Sequence, residues 1–183
     1  VRFRRGLLVH ALLARLPEVP AAERAAVARK FLSLRNVPPG EAEVLVAETL
    51  AVLSHPDFAP AFAPGGRAEL PILADLPELG AGARVNGRID RVAVDDAQVW
   101  ALDFKTNRPP PTRIEDVPRL YLAQMALYRA ALARIFPGRR IACALIWTEG
   151  PSLMALPEPL LDGETAAIRA RLVARLDPAG GRS

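Results

Sequence analysis

The chain has 183 residues, of which 51% are hydrophobic, which is enough for one domain with a buried core but tight for two. Its formal net charge is +4 and its pI is near 10.0, a balance compatible with a polyanionic partner. The single cysteine, Cys143, excludes a disulfide framework, a cysteine-based zinc site and a four-cysteine iron–sulfur cluster.

The first third of the chain predicts three helices. Apolar positions recur at helical spacing over residues 4–16, 21–35 and 40–54, with alanine, leucine, glutamate and arginine between them. The first segment contains Arg15 and no small-residue cleavage site, so we interpret it as an amphipathic helix and not as a signal peptide. No apolar run is long enough to span a bilayer. We therefore expect a helical part over residues 1–56 and no membrane association. The single cysteine fits an ordinary reducing cytoplasm, which is the location we expect.

The pattern then changes to that of strands. The stretch "RAELPILADL" predicts a first strand, in which Pro71 indicates a sheet edge or a bulge. Residues 84–94 and 98–105 predict two strands joined by the turn "DDAQ". The proline-rich "NRPPPTRIEDVP" predicts irregular structure after this hairpin.

The last third predicts two helices and two further strands. The stretch "RLYLAQMALYRAALARIF" predicts a long helix that ends at Pro137. A buried strand, "RIACALIWT", and a short strand, "SLMALP", are expected next. The closing stretch "LDGETAAIRARLVARL" predicts an amphipathic helix, with Asp162 as the expected N-cap.

The predicted hairpin carries acidic residues where a buried strand would carry apolar ones. A four-residue turn at 95–98 sets Asp90 opposite Asp103. Directly opposed side chains have Cβ atoms about 4.5–5.5 Å apart, and like charges there repel, so a compensating positive group is expected. Period-two alternation places Asp103 and Lys105 on the same face of the sheet.

Two carboxylates beside an ammonium at a strand end suit a hard divalent cation. Mg²⁺ and Mn²⁺ are typically held by one or two carboxylates, with water and substrate phosphate completing the shell. The alternative is that Asp103 and Lys105 form a surface ion pair and that Asp90 is an unrelated solvated residue. A one-residue slip in register would send Asp90 to the opposite face.

Four motifs in order resemble the RecB-type nucleases of the PD-(D/E)XK superfamily. The family pattern Gly-x-x-Asp-Arg, Asp-x-Lys-Thr and Gln-x-x-x-Tyr corresponds to "GRIDR", "DFKTN" and "QMALY", and "RGLLVH" is similar to its N-terminal Gly-x-x-x-His element. The likeness is greatest to the C-terminal nuclease domain of AddA-type helicase–nucleases. It extends over nearly the whole chain.

The resemblance implies an α/β fold with a restriction-endonuclease-like core, in which a mixed central sheet is flanked by helices and preceded by an N-terminal helical segment. It implies one nuclease domain over residues 1–183, with a helical part at 1–56 and the nuclease core at 67–176. Because the chain begins with Val1 and ends in "DPAGGRS", we expect it to be a piece of a longer polypeptide.

The resemblance also implies roles for individual residues. Asp90 and Asp103 would be carboxylate metal ligands, and His10 and the backbone carbonyl of Phe104 would be further ligands. Lys105 would be the catalytic lysine. The alternative for His10 is a core or interface histidine on an amphipathic helix.

Three further residues match the family less directly. Gln124 and Tyr128 belong to the third motif and, being four residues apart, share a helix face from which they can reach the sheet or a DNA phosphate. Their alternative is a helix that packs its tyrosine into the core. Glu69 corresponds to a glutamate on the first strand that supports the site, the alternative being a solvated side chain on an edge strand.

The implied reaction is Mg²⁺-dependent hydrolysis of DNA phosphodiester bonds at single- or double-stranded ends, with Mn²⁺ as a substitute for Mg²⁺. The implied products carry 5′-phosphate and 3′-hydroxyl ends. The chain lacks Gly-x-x-x-x-Gly-Lys-[Ser/Thr], so these residues provide no ATP site, and a helicase domain is expected upstream with an AddB-like partner subunit. The alternatives are a stand-alone RecB-like exonuclease and a non-cleaving module that docks DNA or a partner.

Overall fold

The computed structural model describes residues 2–63 and 65–176, which form a sheet covered by helices on both faces. The strands are β1 (Arg67–Asp75), β2 (Arg84–Val94), β3 (Gln98–Lys105), β4 (Arg140–Trp147) and β5 (Ser152–Leu156). The helices are α1 (Arg2–Arg15), α2 (Arg24–Ser33), α3 (Pro39–Leu53), α4 (Arg119–Ile135) and α5 (Glu158–Leu176). Among the described residues, no helix combines the length and the apolar character that crossing a membrane requires.

The five strands are ordered β1-β2-β3-β4-β5, and their directions are mixed. Neighbouring strands are antiparallel except for β3 and β4, which run parallel. A parallel pair needs a crossover connection, and α4 supplies it by passing over one face of the sheet. The predicted mixed sheet is therefore confirmed, and β1 lies at its edge, where Pro71 is tolerated.

Two apolar cores lie on the two faces of the sheet. Helices α1, α2 and α3 bury their apolar sides against one face, and α4 and α5 cover the other. On β3, Val99 and Ala101 belong to the α4 side and Leu102 and Phe104 to the α1 side, as alternation predicts. Strand β4 is buried on both faces, which explains its continuous apolar sequence.

The last helix begins earlier than its sequence pattern indicates. Helix α5 starts at Glu158, so Asp162 lies inside it and is not its N-cap. The Asp162 carboxylate instead accepts a hydrogen bond from Arg129 at 2.6 Å. Pro159 occupies the first turn, where the missing N–H costs nothing, and the Pro157 carbonyl accepts backbone N–H groups of that turn.

The two proline-rich connections contain short helical turns instead of purely irregular structure. A turn of 3-10 helix spans Pro56–Phe62, and a shorter one spans Ile114–Asp116. The first of these turns packs Phe58 and Ala61 into the core on the α1 side. It thereby connects the helical part of the chain to the sheet.

Candidate active site

The candidate site lies where β2 and β3 separate. Their ladder ends at the Arg91–Leu102 pair, so the predicted direct pairing of Asp90 with Asp103 does not form. Instead, Oδ2 of Asp90 accepts a hydrogen bond from the backbone N–H of Phe104 at 2.8 Å. Direct pairing would hold two carboxylates about 5 Å apart, and separation of the strands relieves that repulsion.

Glu69 and Asp90 occupy facing positions at which two neighbouring strands become irregular. Ile89 packs into the α4-side core, whereas Arg91, two residues later, lies over the Phe62 ring on the other side. Regular alternation therefore fails at Asp90. Opposite it, Glu69 has φ 51°, in the left-handed region that residues with a side chain rarely adopt. Such strain persists only where the surrounding structure enforces it, and it is concentrated at functional sites.

His10, Glu69 and Asp90 form one group of potential metal ligands. His10 Nδ1 lies 3.3 Å from Asp90 Oδ1, and one ligand atom from each residue lies within 4.8 Å of the others. Glu69 also pairs with Arg88 at 2.8 Å. The sequence assigned Glu69 a supporting position only, but the structure places it within this group.

The group opens into a cavity of about 620 Å³ between α1 and the first two strands. The cavity is lined by small and apolar residues of α1, by the three potential ligands and by two arginines: Gly6, Leu7, His10, Ala11, Ala14, Arg15, Glu69, Arg88, Asp90 and Thr106. Helix α1 approaches the end of β3 closely. A Cβ on Gly6 would lie only 3.1 Å from Thr106 Oγ1. The glycine of the Gly-x-x-x-His element therefore lets the helix bring His10 to the sheet.

The pKa of His10 reflects competing effects in this cavity. Burial lowers the pKa, but the hydrogen bond and charge of Asp90, followed by the charge of Asp103, raise it above its ordinary value overall. The neighbouring carboxylates therefore favour the protonated form of the imidazole. A cation that bound His10 would compete with this proton.

Asp103 and Lys105 are buried together on the α4 side, 3% and 9% exposed. Lys105 Nζ lies 2.6 Å from Asp103 Oδ2, so the two side chains form a buried ion pair. Burial first, and the charge of Asp90 second, raise the pKa of Asp103 to about 6 against the attraction of Lys105. The alternative of a surface ion pair is wrong, because both groups are buried.

Gln124 and Tyr128 connect Lys105 to the backbone of β2. Lys105 Nζ donates to Gln124 Oε1 at 3.0 Å, and Gln124 Nε2 donates to the Tyr128 hydroxyl at 3.1 Å. The hydroxyl in turn donates to the Arg88 carbonyl at 2.8 Å. Burial raises the pKa of Tyr128, which keeps this donor protonated. The two motif residues thus reach the sheet, as their shared helix face predicts. Tyr128 is at the same time packed into the core on the α4 side, as the alternative expects.

The donor set fits a hard divalent cation. It combines carboxylate oxygens, which suit Mg²⁺ and Mn²⁺, with one imidazole. Asp103 lies outside this group of three, but it is close enough for the charges of Asp90 and His10 to act on it. The backbone N–H of Phe104 donates to Asp90, so the residue whose carbonyl is the predicted ligand lies next to this carboxylate. Ligation by that carbonyl remains a prediction.

Tyr121 is a site residue that the motifs did not identify. Lys105 Nζ lies 3.8 Å from the centroid of its ring, and its hydroxyl donates to Asn107 Oδ1 at 3.0 Å. Tyr121 precedes Gln124 by three residues, so helical spacing alone could have indicated it.

Glu48 of α3 is a second residue that sequence reasoning missed. Its carboxylate is buried, pairs with Arg5 and with Arg108, the latter at 3.1 Å, and accepts a hydrogen bond from Thr148. These contacts join α1 and α3 to the segments that follow β3 and β4. No local pattern indicates them, because the partners are distant in sequence.

A mixed sheet whose separating strands present clustered carboxylates beside a lysine defines a nuclease core of the restriction-endonuclease type. The family model described as "PD-(D/E)XK nuclease superfamily" matches residues 1–169. The chain therefore belongs to the PD-(D/E)XK nuclease superfamily, and the family and fold support a nuclease function.

Two solved structures are similar to this chain. One, described as a "putative exonuclease" from Eubacterium rectale, has 11% identity and a TM-score of 0.61, and the match covers 94% of this chain but 66% of that one. It shows the shared fold. A second, SSO0001, has 13% identity and a TM-score of 0.40, with 94% of this chain and 76% of that chain covered. No curated protein matches the chain.

Proposed function

We propose that the chain is the Mg²⁺-dependent deoxyribonuclease domain of an AddA-type helicase–nuclease, hydrolysing phosphodiester bonds at DNA ends during recombinational repair. The observation that carries this proposal is the grouping of His10, Glu69 and Asp90 around one cavity. Asp103 and Lys105 are buried close enough for their charges to act on His10. Family membership supports a nuclease, and the description of the Eubacterium rectale protein supports an exonuclease.

His10, Glu69, Asp90 and Asp103 would hold the cation, with the Phe104 carbonyl as a further ligand. When bound, a divalent cation supplies Lewis-acid polarisation of the phosphodiester and makes water a stronger nucleophile. The proposed site would accept Mn²⁺ as well, because carboxylate oxygens suit Mn²⁺ as they suit Mg²⁺.

Lys105 would act on the scissile phosphate. Its ammonium is held by Asp103 and by Gln124, so it is oriented before substrate arrives and can offset the negative charge that develops on the phosphate. Lys30 is the only other lysine among 24 basic residues. An ammonium is a compact charge with rotatable donors, which arginine does not provide. Gln124 and Tyr128 would serve to position it.

Arginines at the cavity would hold the DNA strand. Arg15 and Arg88 line the cavity and are exposed, so both would be available to backbone phosphates. Contacts to backbone phosphates do not distinguish one base sequence from another, and they weaken as the salt concentration rises. Binding should therefore be independent of sequence and strongly salt-dependent.

A digestion assay tests the function. Linear single-stranded, linear double-stranded and covalently closed circular DNA are incubated with the chain and Mg²⁺ or Mn²⁺, comparing the wild type with Asp103→Ala and Lys105→Ala. We expect loss of linear DNA only, a rate at least about 100-fold lower in both variants, and a wild-type rate in the matched control Lys30→Ala. Wild-type rates in both site variants would refute the site, and equal cutting of closed circles would refute an exonuclease.

Two alternatives are separated by further observations. A stand-alone RecB-like exonuclease would use the same site, and helicase motifs in the open reading frame before Val1 would exclude it. A docking module would bind DNA without cutting it, and the complete set of His10, Asp90, Asp103 and Lys105 argues against that alternative. Copurification with an AddB-like subunit would support the helicase–nuclease assignment.

A further inference from the structure

We propose that Tyr121 is a positioning residue for Lys105, and that its aromatic face holds the lysine ammonium in place for phosphate. The inference rests on the proposed function, because it takes Lys105 to be the group that meets the substrate. Tyr121 lies outside the four motifs, so its role follows from contacts alone.

Tyr121 provides one of three contacts that surround the Lys105 ammonium. Asp103 Oδ2 and Gln124 Oε1 provide the other two, at 2.6 and 3.0 Å. The ring centroid lies 3.8 Å from Nζ, well inside the distance of about 6 Å at which a ring face attracts a cation. Because Lys105 is 9% exposed, water solvates it little, and a cation–π contact is strongest in such a desolvated setting.

An aromatic face has an advantage over a second carboxylate at this position. Asp103 already pairs with the ammonium, so a second carboxylate would give the cluster a net negative charge and would repel a phosphate. The ring attracts the cation through its quadrupole, yet it competes weakly for the N–H donors of Lys105. A phosphate oxygen can therefore take over a donor while the ammonium stays in place.

Tyr121 is itself fixed in position. Its hydroxyl donates to Oδ1 of Asn107 at 3.0 Å, and Asn107 follows Lys105 by two residues. The same strand end thus carries both the lysine and the group that anchors the ring. The ring also packs near the indole of Trp147, with centroids 6.4 Å apart and planes tilted by 51°. These contacts leave the ring little freedom to rotate away from the ammonium.

The small number of lysines makes the contact directly observable by NMR. In the chain labelled with ¹³C-lysine, the ε-methylene signal of Lys105 should lie upfield of that of Lys30, because the ring current of Tyr121 shields it. A Lys30→Arg variant assigns the two signals. Tyr121→Leu should move the Lys105 signal towards that of Lys30, whereas Tyr121→Phe should leave it upfield.

Kinetics on linear DNA provide the second measurement. Tyr121→Leu should lower kcat about tenfold with KM unchanged, the size expected for loss of one desolvated cation–π contact. Tyr121→Phe keeps the face and should stay within about threefold of wild type, since only a neutral hydrogen bond is lost. Leu120→Ala, at an exposed neighbouring position, should change neither kcat nor the NMR signal.

Three outcomes decide the inference. Wild-type kcat in Tyr121→Leu, or an equal loss in the Leu and Phe variants, would overturn it. Should Tyr121→Leu fail to fold, Tyr121→Met replaces it with the same expected results. Absence of DNA cleavage by the wild type, together with a ring-dependent Lys105 signal, would refute the proposed function and retain the contact.

Discussion

Gly87 of β2 leaves the space that Tyr128 of α4 occupies. A Cβ at position 87 would lie 3.1 Å from Tyr128 Cε1 and 3.4 Å from its hydroxyl oxygen. The absence of a side chain lets the hydroxyl reach the neighbouring Arg88 carbonyl. The glycine of Gly-x-x-Asp and the tyrosine of Gln-x-x-x-Tyr therefore pack directly against each other.

Gly87→Ala should destabilise the chain by about 1–3 kcal/mol, because a methyl group is forced against a packed ring. Urea unfolding measures the change, and Gly163→Ala, at a helical position with open space around it, is the control that should not be destabilising. In a Tyr128→Ala background the cost of Gly87→Ala should largely disappear. Costs that simply add would show that the two residues do not compete for space.

A divalent cation should stabilise the folded chain by binding to the group formed by His10, Glu69 and Asp90. Mn²⁺ added after chelator treatment should raise the Tm of the wild type, because a ligand that binds only the folded state stabilises it. His10→Ala and Asp90→Asn should reduce that rise, and Asp75→Asn, an exposed change at the far end of β1, should preserve it. An equal rise in all four proteins would place the cation elsewhere.

Glu48→Ala should be strongly destabilising. The change leaves the partly buried Arg5 without its carboxylate, and loss of one partner from a buried pair costs about 3–5 kcal/mol. Glu48→Gln should cost less, since the amide still accepts from Thr148 and the arginines. Glu43→Ala breaks an exposed pair with Arg29 and should change the free energy of unfolding little. Similar values for Glu48→Ala and Glu43→Ala would contradict the buried network.

Stability should fall at alkaline pH through Cys143. Burial raises the pKa of its thiol to about 12, whereas an unfolded thiol titrates near about 8.5. The unfolded state therefore loses its proton first, so this contribution is complete below about pH 8.5 and is lost as the pH rises towards 12. Unfolding at pH 7 and pH 10 measures the fall, which should be smaller in Cys143→Ala. Rapid alkylation of the native chain at pH 9 would contradict the burial.

The sequence predicted the hairpin and the faces of β3 because both depend on local patterns. Alternation over 98–105 depends on the strand alone, and it correctly separated Asp103 and Lys105 from Phe104. The order of the motifs also predicted that His10 would reach Asp90 from a separate helix.

The irregular features could not be predicted from local patterns. The end of the β2–β3 ladder and the left-handed backbone of Glu69 both occur where residues of different strands meet, and a local pattern does not relate those residues. The contacts of Glu48 are made with Arg108 and Thr148, which only the tertiary fold brings close to it. The sequence pattern placed the start of helix α5 too late. The proline in its first turn interrupts the apolar spacing from which the start of a helix is predicted.

If Glu69 helps to hold the cation as proposed, its left-handed backbone sets thermal stability against cation binding at one position. Glycine would adopt that conformation without steric cost, so a chain selected for thermal endurance alone would lose this carboxylate early. A chain selected for cation binding at the proposed site would keep it. Position 69 is therefore where stabilising substitutions should be avoided.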